Sequence, residues 1–125
     1  MIKLEVAQSH QRIKRFTKTI LHNKLYVFKT WGICTSIRNF KNTPNYIKSV
    51  ILARNNGEYV GCCMYVPNHE FSVQTFVKHT YRRKGIGKHM LKKLQNKHPL
   101  VQFTAEISSQ KNQVFYKDLL KMRTP

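Results

Sequence analysis

A chain of 125 residues supports one modest core and not two. With 41% hydrophobic residues and no run approaching the ~18 apolar residues of a membrane span, it reads as a globular domain with no membrane partner. Twenty-three Lys and Arg against five Asp and Glu give a formal charge of +18. Such a field repels cations and gathers polyanions, and it exceeds the net charge of about 2–8 that solubility asks of a small domain.

The first ten residues lack the apolar stretch of a signal peptide, so a cytoplasmic address is expected. Of three cysteines, Cys62 and Cys63 are adjacent in an expected strand. Their side chains then point to opposite faces and cannot readily bridge. No Cys/His spacing matches a zinc site, so reduced buried thiols and no metal are expected.

Ile2, Leu4 and Val6 alternate with Lys3 and Glu5, which predicts a strand over 2–7. Ser9 can cap a helix running to about Asn23, with Ile13, Phe16, Ile20 and Leu21 on one face and Arg12, Lys14, Arg15 and Lys18 on the other. Ile33, Ile37 and Phe40 suggest a weaker helix over 30–41. Two β-rich runs, Tyr46 to Arg54 and Tyr59 to Val66, flank Asn55-Asn56-Gly57-Glu58, a hairpin signal. A strand is expected from Phe71 to Val77, and then a helix whose buried face is Ile86, Met90, Leu91 and Leu94, ended by Pro99. Leu100 to Ala105 reads as a further strand, joined to the preceding one by a right-handed crossover and hence parallel to it. A last helix is expected over about 111–121. Residues 1–125 thus form a single α/β domain.

Between Val77 and that helix stands Lys78-His79-Thr80-Tyr81-Arg82-Arg83-Lys84-Gly85-Ile86-Gly87-Lys88. Strand, glycine turn and helix N-terminus make an anion site, because the first helical N–H groups lack intrahelical partners and the helix dipole adds partial positive charge. A Walker A loop would need Gly at position 82 and Ser or Thr at 89, where Arg82 and His89 stand. A dinucleotide fingerprint would need Gly at 90, which is Met90.

Arg82-Arg83-Lys84-Gly85-Ile86-Gly87 resembles the acyl-CoA loop of the GNAT N-acetyltransferase superfamily, Arg/Gln-x-x-Gly-x-Gly/Ala, with the usual apolar residue, Val77, five positions upstream. Val60-Gly61 after a hairpin turn and Phe115-Tyr116 after the fifth expected strand are similar to the family too. The resemblance implies the GNAT acyl-CoA N-acyltransferase fold: a mixed central sheet with a splayed parallel pair, flanked by helices. It implies acetyl-CoA as cofactor, with backbone N–H groups of residues 82–87 cradling the pyrophosphate and Arg82, Arg83, Lys84 and Lys88 nearby. Pantetheine would lie between the strand ending at Val77 and that at 100–105. The backbone near Phe76 and Val77 would bind the thioester carbonyl, and Tyr116 would protonate the departing thiolate.

Three departures touch the acceptor side. Ser109, implied beside the cofactor with Tyr116, stands where the family commonly has Asn, and Leu120 and Lys121 replace Gly-Phe. The sequence ends where relatives continue into a hairpin that walls the acceptor site. A partner subunit in a homodimer would supply that wall, or the site is open to a bulky acceptor.

Attack needs a neutral amine, and few bases are available. Some relatives place Glu at the position of Phe71; here the adjacent Glu70 is a candidate, with Glu106 beyond the fifth strand, and His69 and His79 as weaker alternatives. The reading favours water-relayed deprotonation and an acceptor of low amine pKa, such as an α-amine near ~7.7–8.0 rather than a lysine near ~10.4. Removing Arg82, Arg83, Lys84 and Lys88 from the 23 basic residues leaves nineteen that the cofactor does not use. An acceptor attached to a polyanion fits them: aminoacyl-tRNA, or a ribosomal or nucleoid protein bound to RNA or DNA. The alternative is a catalytically inactive protein of the same fold that uses its basic surface to bind nucleic acid or an acidic partner.

Overall fold

The computed structural model describes residues 1–23, 25, 47–67 and 72–104. Their elements run β1 (Ile2–Ala7), α1 (His10–His22), β2 (Ser49–Asn55), β3 (Glu58–Tyr65), β4 (Val73–Val77), a 3-10 turn (His79–Tyr81) and α2 (Ile86–Lys97). The first strand, both amphipathic helices and the three strands between them therefore fall where the apolar spacing put them, to within a few residues. The helices expected over 30–41 and 111–121 lie outside the described residues. No described helix is long and apolar enough to cross a membrane.

The four strands form one antiparallel sheet in the order β1-β2-β3-β4. Asn56 and Gly57, both left-handed at φ 50° and 86°, close the β2–β3 hairpin as a two-residue turn whose twist suits the strands it joins. Ser9 caps α1, its Oγ accepting from the Arg12 N–H at 3.3 Å. Across β1 and β2, Glu5 pairs with Arg54.

The sheet separates two apolar layers. Ile13, Phe16 and Ile20 of α1 pack with Val50, Leu52, Cys62 and Met64 on one face. Ile86, Met90, Leu91 and Leu94 of α2 pack with Ile51, Ala53, Val60 and Cys63 on the other. Strand alternation sends Cys62 and Cys63 to opposite layers, and both remain free thiols. Burial pushes both thiols up, Cys63 to about 12 even with Thr75 Oγ1 at 3.5 Å, so neither is a nucleophile at neutral pH.

The register shifts between Ala53 and Arg54, which pair with Gly61 and Tyr59 and leave Val60 as a bulge. A Cβ on Gly61 would meet Phe76 O at 3.0 Å and Met90 Cε at 3.1 Å. The rigid neighbour is a backbone oxygen of β4, and the contact with α2 is made by the flexible end of Met90.

One expectation is corrected. Residues 101–104 form no strand, and Leu100 is 97% exposed. Pro99 and Leu100 occupy a turn closed by the Val101 N–H donating to His98 O at 3.1 Å, so the apolar run begins at a corner and cannot pair there. Backbone hydrogen bonding to β4, among the described residues, begins at Thr104, whose carbonyl accepts from the Val73 N–H at 2.9 Å while its own N–H donates to Ser72 Oγ at 2.9 Å. The described sheet is thus antiparallel throughout, and the segment that would run beside Gln74–Val77 lies outside the described residues.

Candidate functional site

β4 delivers the chain to the turn with a defined backbone polarity. The Val66 N–H donates to Ser72 O at 2.7 Å and the Lys78 N–H to Val60 O at 2.8 Å, so residues 72, 74, 76 and 78 direct their backbone groups at β3. Val73, Thr75 and Val77 then direct theirs to the opposite edge. The Val73 bond to Thr104 agrees, and the Val77 carbonyl accepts from Arg82 Nε at 2.9 Å. Of the two expected carbonyl binders, Val77 therefore offers an edge-facing N–H. The Phe76 N–H faces β3, and its ring lies under the Arg82 guanidinium at 5.6 Å.

The turn after Val77 is wound by bonds from the Tyr81 N–H to Lys78 O (2.8 Å) and from the Arg82 N–H to His79 O (3.2 Å). Arg83 and Gly85 then take left-handed φ values of 65° and 80°. A Cβ on Gly85 would meet nothing within 4 Å, so the glycine serves the backbone angle and leaves open space above it. Gly85 caps α2 without any side-chain hydrogen bond, and no acidic residue stands in the first turn. The helical ladder starts with the His89 N–H donating to Gly85 O at 3.0 Å. The N–H groups of Ile86, Gly87 and Lys88 precede it, aligned with the positive end of the helix dipole.

Ile86 and Gly87 are buried and seat the helix, while Arg82, Arg83, Lys84 and Lys88 are exposed around it. The structure thus brings Phe76, Val77, Arg82, Arg83, Lys84, Gly85, Ile86, Gly87 and Lys88 together at one corner. An uncapped helix start, open space over a glycine and four exposed cations fit an anionic pyrophosphate. His79 is exposed on the 3-10 turn. Glu70, Glu106, Ser109 and Tyr116 lie outside the described residues.

Two features escape the sequence. Glu58, the first residue of β3, accepts from Tyr81 Oη at 2.8 Å with Oε2 and from Lys78 Nζ at 3.3 Å with Oε1. These bonds hold the Glu58 carboxyl below its usual range, the tyrosine bond first and the lysine second. Lys84 Nζ in turn sits 5.4 Å from the Tyr81 ring centroid. The second is Gln74, on the α1 side of β4, 1% exposed with neither amide atom hydrogen-bonded. The signal for the first was available in principle: pairing the hairpin with the next strand places Val60 opposite Lys78 and Glu58 two residues further along, diagonally within reach of the lysine.

Residues 47–119 match the acetyltransferase (GNAT) domain family. No curated protein matches the chain. Among solved structures, a GNAT-family acetyltransferase from Streptococcus pneumoniae is similar at a TM-score of 0.67 and 19% identity, over 94% of this chain and 85% of that one. A predicted acetyltransferase with acetyl-CoA from Clostridium acetobutylicum is similar at 0.55 and 16%, over 94% and 88%. A ribosomal-protein-alanine N-acetyltransferase from Brucella melitensis is similar at 0.58 and 14%, over 100% and 94%. At these identities the likeness is one of fold.

Proposed function

The chain belongs to the GNAT acetyltransferase family, and on that premise we propose that it moves the acetyl group of acetyl-CoA onto an amine held in a nucleic-acid or nucleoprotein context. The observation that carries the cofactor half is the uncapped start of α2 beside exposed Arg82, Arg83, Lys84 and Lys88. Acetyl-CoA supplies an activated thioester. The chain's own part is to hold the pyrophosphate on the N–H groups of residues 86–88 and to offer the edge-facing Val77 N–H to the thioester oxygen, where charge develops. In this reading Ser109 and Tyr116 line the cofactor, and the Tyr116 hydroxyl returns a proton to the sulfur as it leaves. Glu70 and Glu106 are the carboxylates proposed to take the amine proton, through water.

The acceptor half rests on charge. Arg12, Lys14, Arg15 and Lys18 are exposed on α1, and Lys88, Lys92, Lys93 and Lys97 on α2, with no acidic residue in either helix. A cationic acceptor meets repulsion there, while an amine carried by a polyanion is drawn in. An α-amine suits the scarcity of carboxylates, since it is neutral more often than a lysine at pH 7. An acceptor on tRNA or the ribosome would place the reaction in the cytoplasm.

Labelled acetyl-CoA incubated with fractionated cell extract tests this. Label is expected on tRNA-bound or ribosome-associated amines, and Tyr116→Phe is expected to lower the rate about 10²- to 10⁴-fold. Label confined to free polyamines or aminoglycosides rejects the acceptor reading. Failure of the wild type to bind acetyl-CoA at micromolar concentration rejects the enzyme in favour of a binding protein of this fold.

A further inference from the structure

From the contacts of Glu58 we infer that this residue positions the phosphate loop, gripping the turn that precedes Arg82–Lys88 at both ends. The inference rests on the acetyl-CoA reading of that loop. Glu58 uses one carboxylate oxygen for Lys78, where the turn begins, and the other for Tyr81, where it ends. The turn between them is a single 3-10 winding, with backbone bonds of 2.8 and 3.2 Å. Its entry is tied to β3 independently by the Lys78 N–H bond to Val60 O at 2.8 Å. The exit has no such backbone tie to the sheet among the described bonds. Its anchors to the rest of the chain are side chains: the Tyr81 ring packs against the apolar layer under α2, its hydroxyl donates to Glu58, and Arg82 Nε donates to Val77 O. The first residue past the turn is Arg82, followed at once by the left-handed Arg83. Any drift of Tyr81 therefore shifts the loop and the Lys84 ammonium that lies over its ring.

A carboxylate beside an anion site presents a choice of sign. By charge alone Glu58 repels a phosphate, and its removal should tighten binding of an anionic ligand. By position it orders the groups that bind, and its removal should loosen binding. Glu58 is exposed, so solvent and salt weaken its long-range field, whereas its two short bonds act locally. The structure favours position.

Calorimetry with CoA on the full chain, at physiological salt, separates the two. Tyr81→Phe keeps the ring under Lys84 and removes only the hydroxyl; Glu58→Ala removes both bonds. Each is expected to weaken CoA binding about threefold to tenfold, the scale of one or two such hydrogen bonds. The double variant should be little worse than Glu58→Ala, because the two share one interaction. In turnover assays the KM for acetyl-CoA should rise with kcat unchanged, a split that general destabilisation does not produce. CoA binding by Glu58→Ala as tight as or tighter than wild type overturns the inference, as does unchanged binding by Tyr81→Phe. If the wild type itself binds no CoA, the acetyl-CoA reading falls and this inference with it. If the wild type binds and both variants match it, only the role of Glu58 falls.

Discussion

His98 caps the C-terminus of α2, with its Nε2 2.6 Å from Ser49 Oγ and its ring edge-on to Tyr65 and Phe103. Burial first, and the nearby Lys48 charge second, push its pKa below the ordinary histidine value. The neutral ring is therefore the form the fold prefers, and the unfolded chain binds more protons at mildly acidic pH. Stability from this group is present above the ordinary histidine pKa near ~6.5, and is lost as pH falls through the lower folded value. The expected result is a fall in Tm between pH 7.5 and 5.5 that His98→Gln makes shallower. An equal fall in the variant would place the effect elsewhere. Ser49 and His98 are 49 residues apart, so no local pattern marks the pair. Tyr81 and Glu58 escaped the sequence for the same reason: their bond spans 23 residues and becomes visible only with the register. Arg82 to Lys88 were legible because strand, turn and helix start are contiguous.

At the scale of elements, the packing of β3 beside β4 and under α2 leaves little room for a side chain at position 61. Gly61 follows the Val60 bulge and faces Met90, and a methyl group there meets a backbone oxygen at 3.0 Å that cannot swing away. Gly61→Ala is expected to cost about 1–3 kcal/mol, typical of overpacking, read as a lower denaturant midpoint with unchanged slope. CoA binding should change less than stability, since the rigid contact is with β4 and α2 is met only through the flexible end of Met90. A variant as stable as wild type would mean that Met90 alone absorbs the methyl group. The hairpin and both helix faces were readable because Asn56-Gly57 and the spacing of Ile13, Phe16, Ile20, Ile86, Met90, Leu91 and Leu94 act locally. The misreading at 100–104 has a local cause as well. Leu100, Val101 and Phe103 have the composition of a strand, but Pro99 starts a turn that leaves Leu100 in solvent and buries Phe103 against α2. Composition does not distinguish an apolar strand from an apolar turn that packs on the core through Val101 and Phe103.

At the scale of the whole molecule, the +18 charge has little internal compensation. The described residues contain two side-chain ion pairs, Glu5–Arg54 and Glu58–Lys78, and the outward faces of α1 and α2 carry no carboxylate. Like charges held this close repel more in the folded chain than in the expanded one, so the fold should be weakened by its own field at low ionic strength. Salt screens that repulsion over a Debye length of about 10 Å at 0.1 M, and a bound polyanion offsets it at far lower concentration. Tm is therefore expected to rise from 20 to 300 mM NaCl, and to rise at low salt on adding tRNA in slight excess. Lys92→Glu with Lys93→Glu supplies the discriminating case, since both residues are exposed on α2 and neither belongs to the phosphate loop. Reversing two charges should raise Tm at low salt while weakening tRNA binding. The slope of log affinity against log salt should fall by about one for each phosphate that the variant no longer neutralises. A Tm gain with tRNA affinity and slope unchanged would move the polyanion from α2 to another basic face, of which α1 is the next candidate. A wild type whose Tm responds to neither salt nor tRNA would separate the charge from the fold altogether, and the acceptor would then have to be sought among uncharged amines.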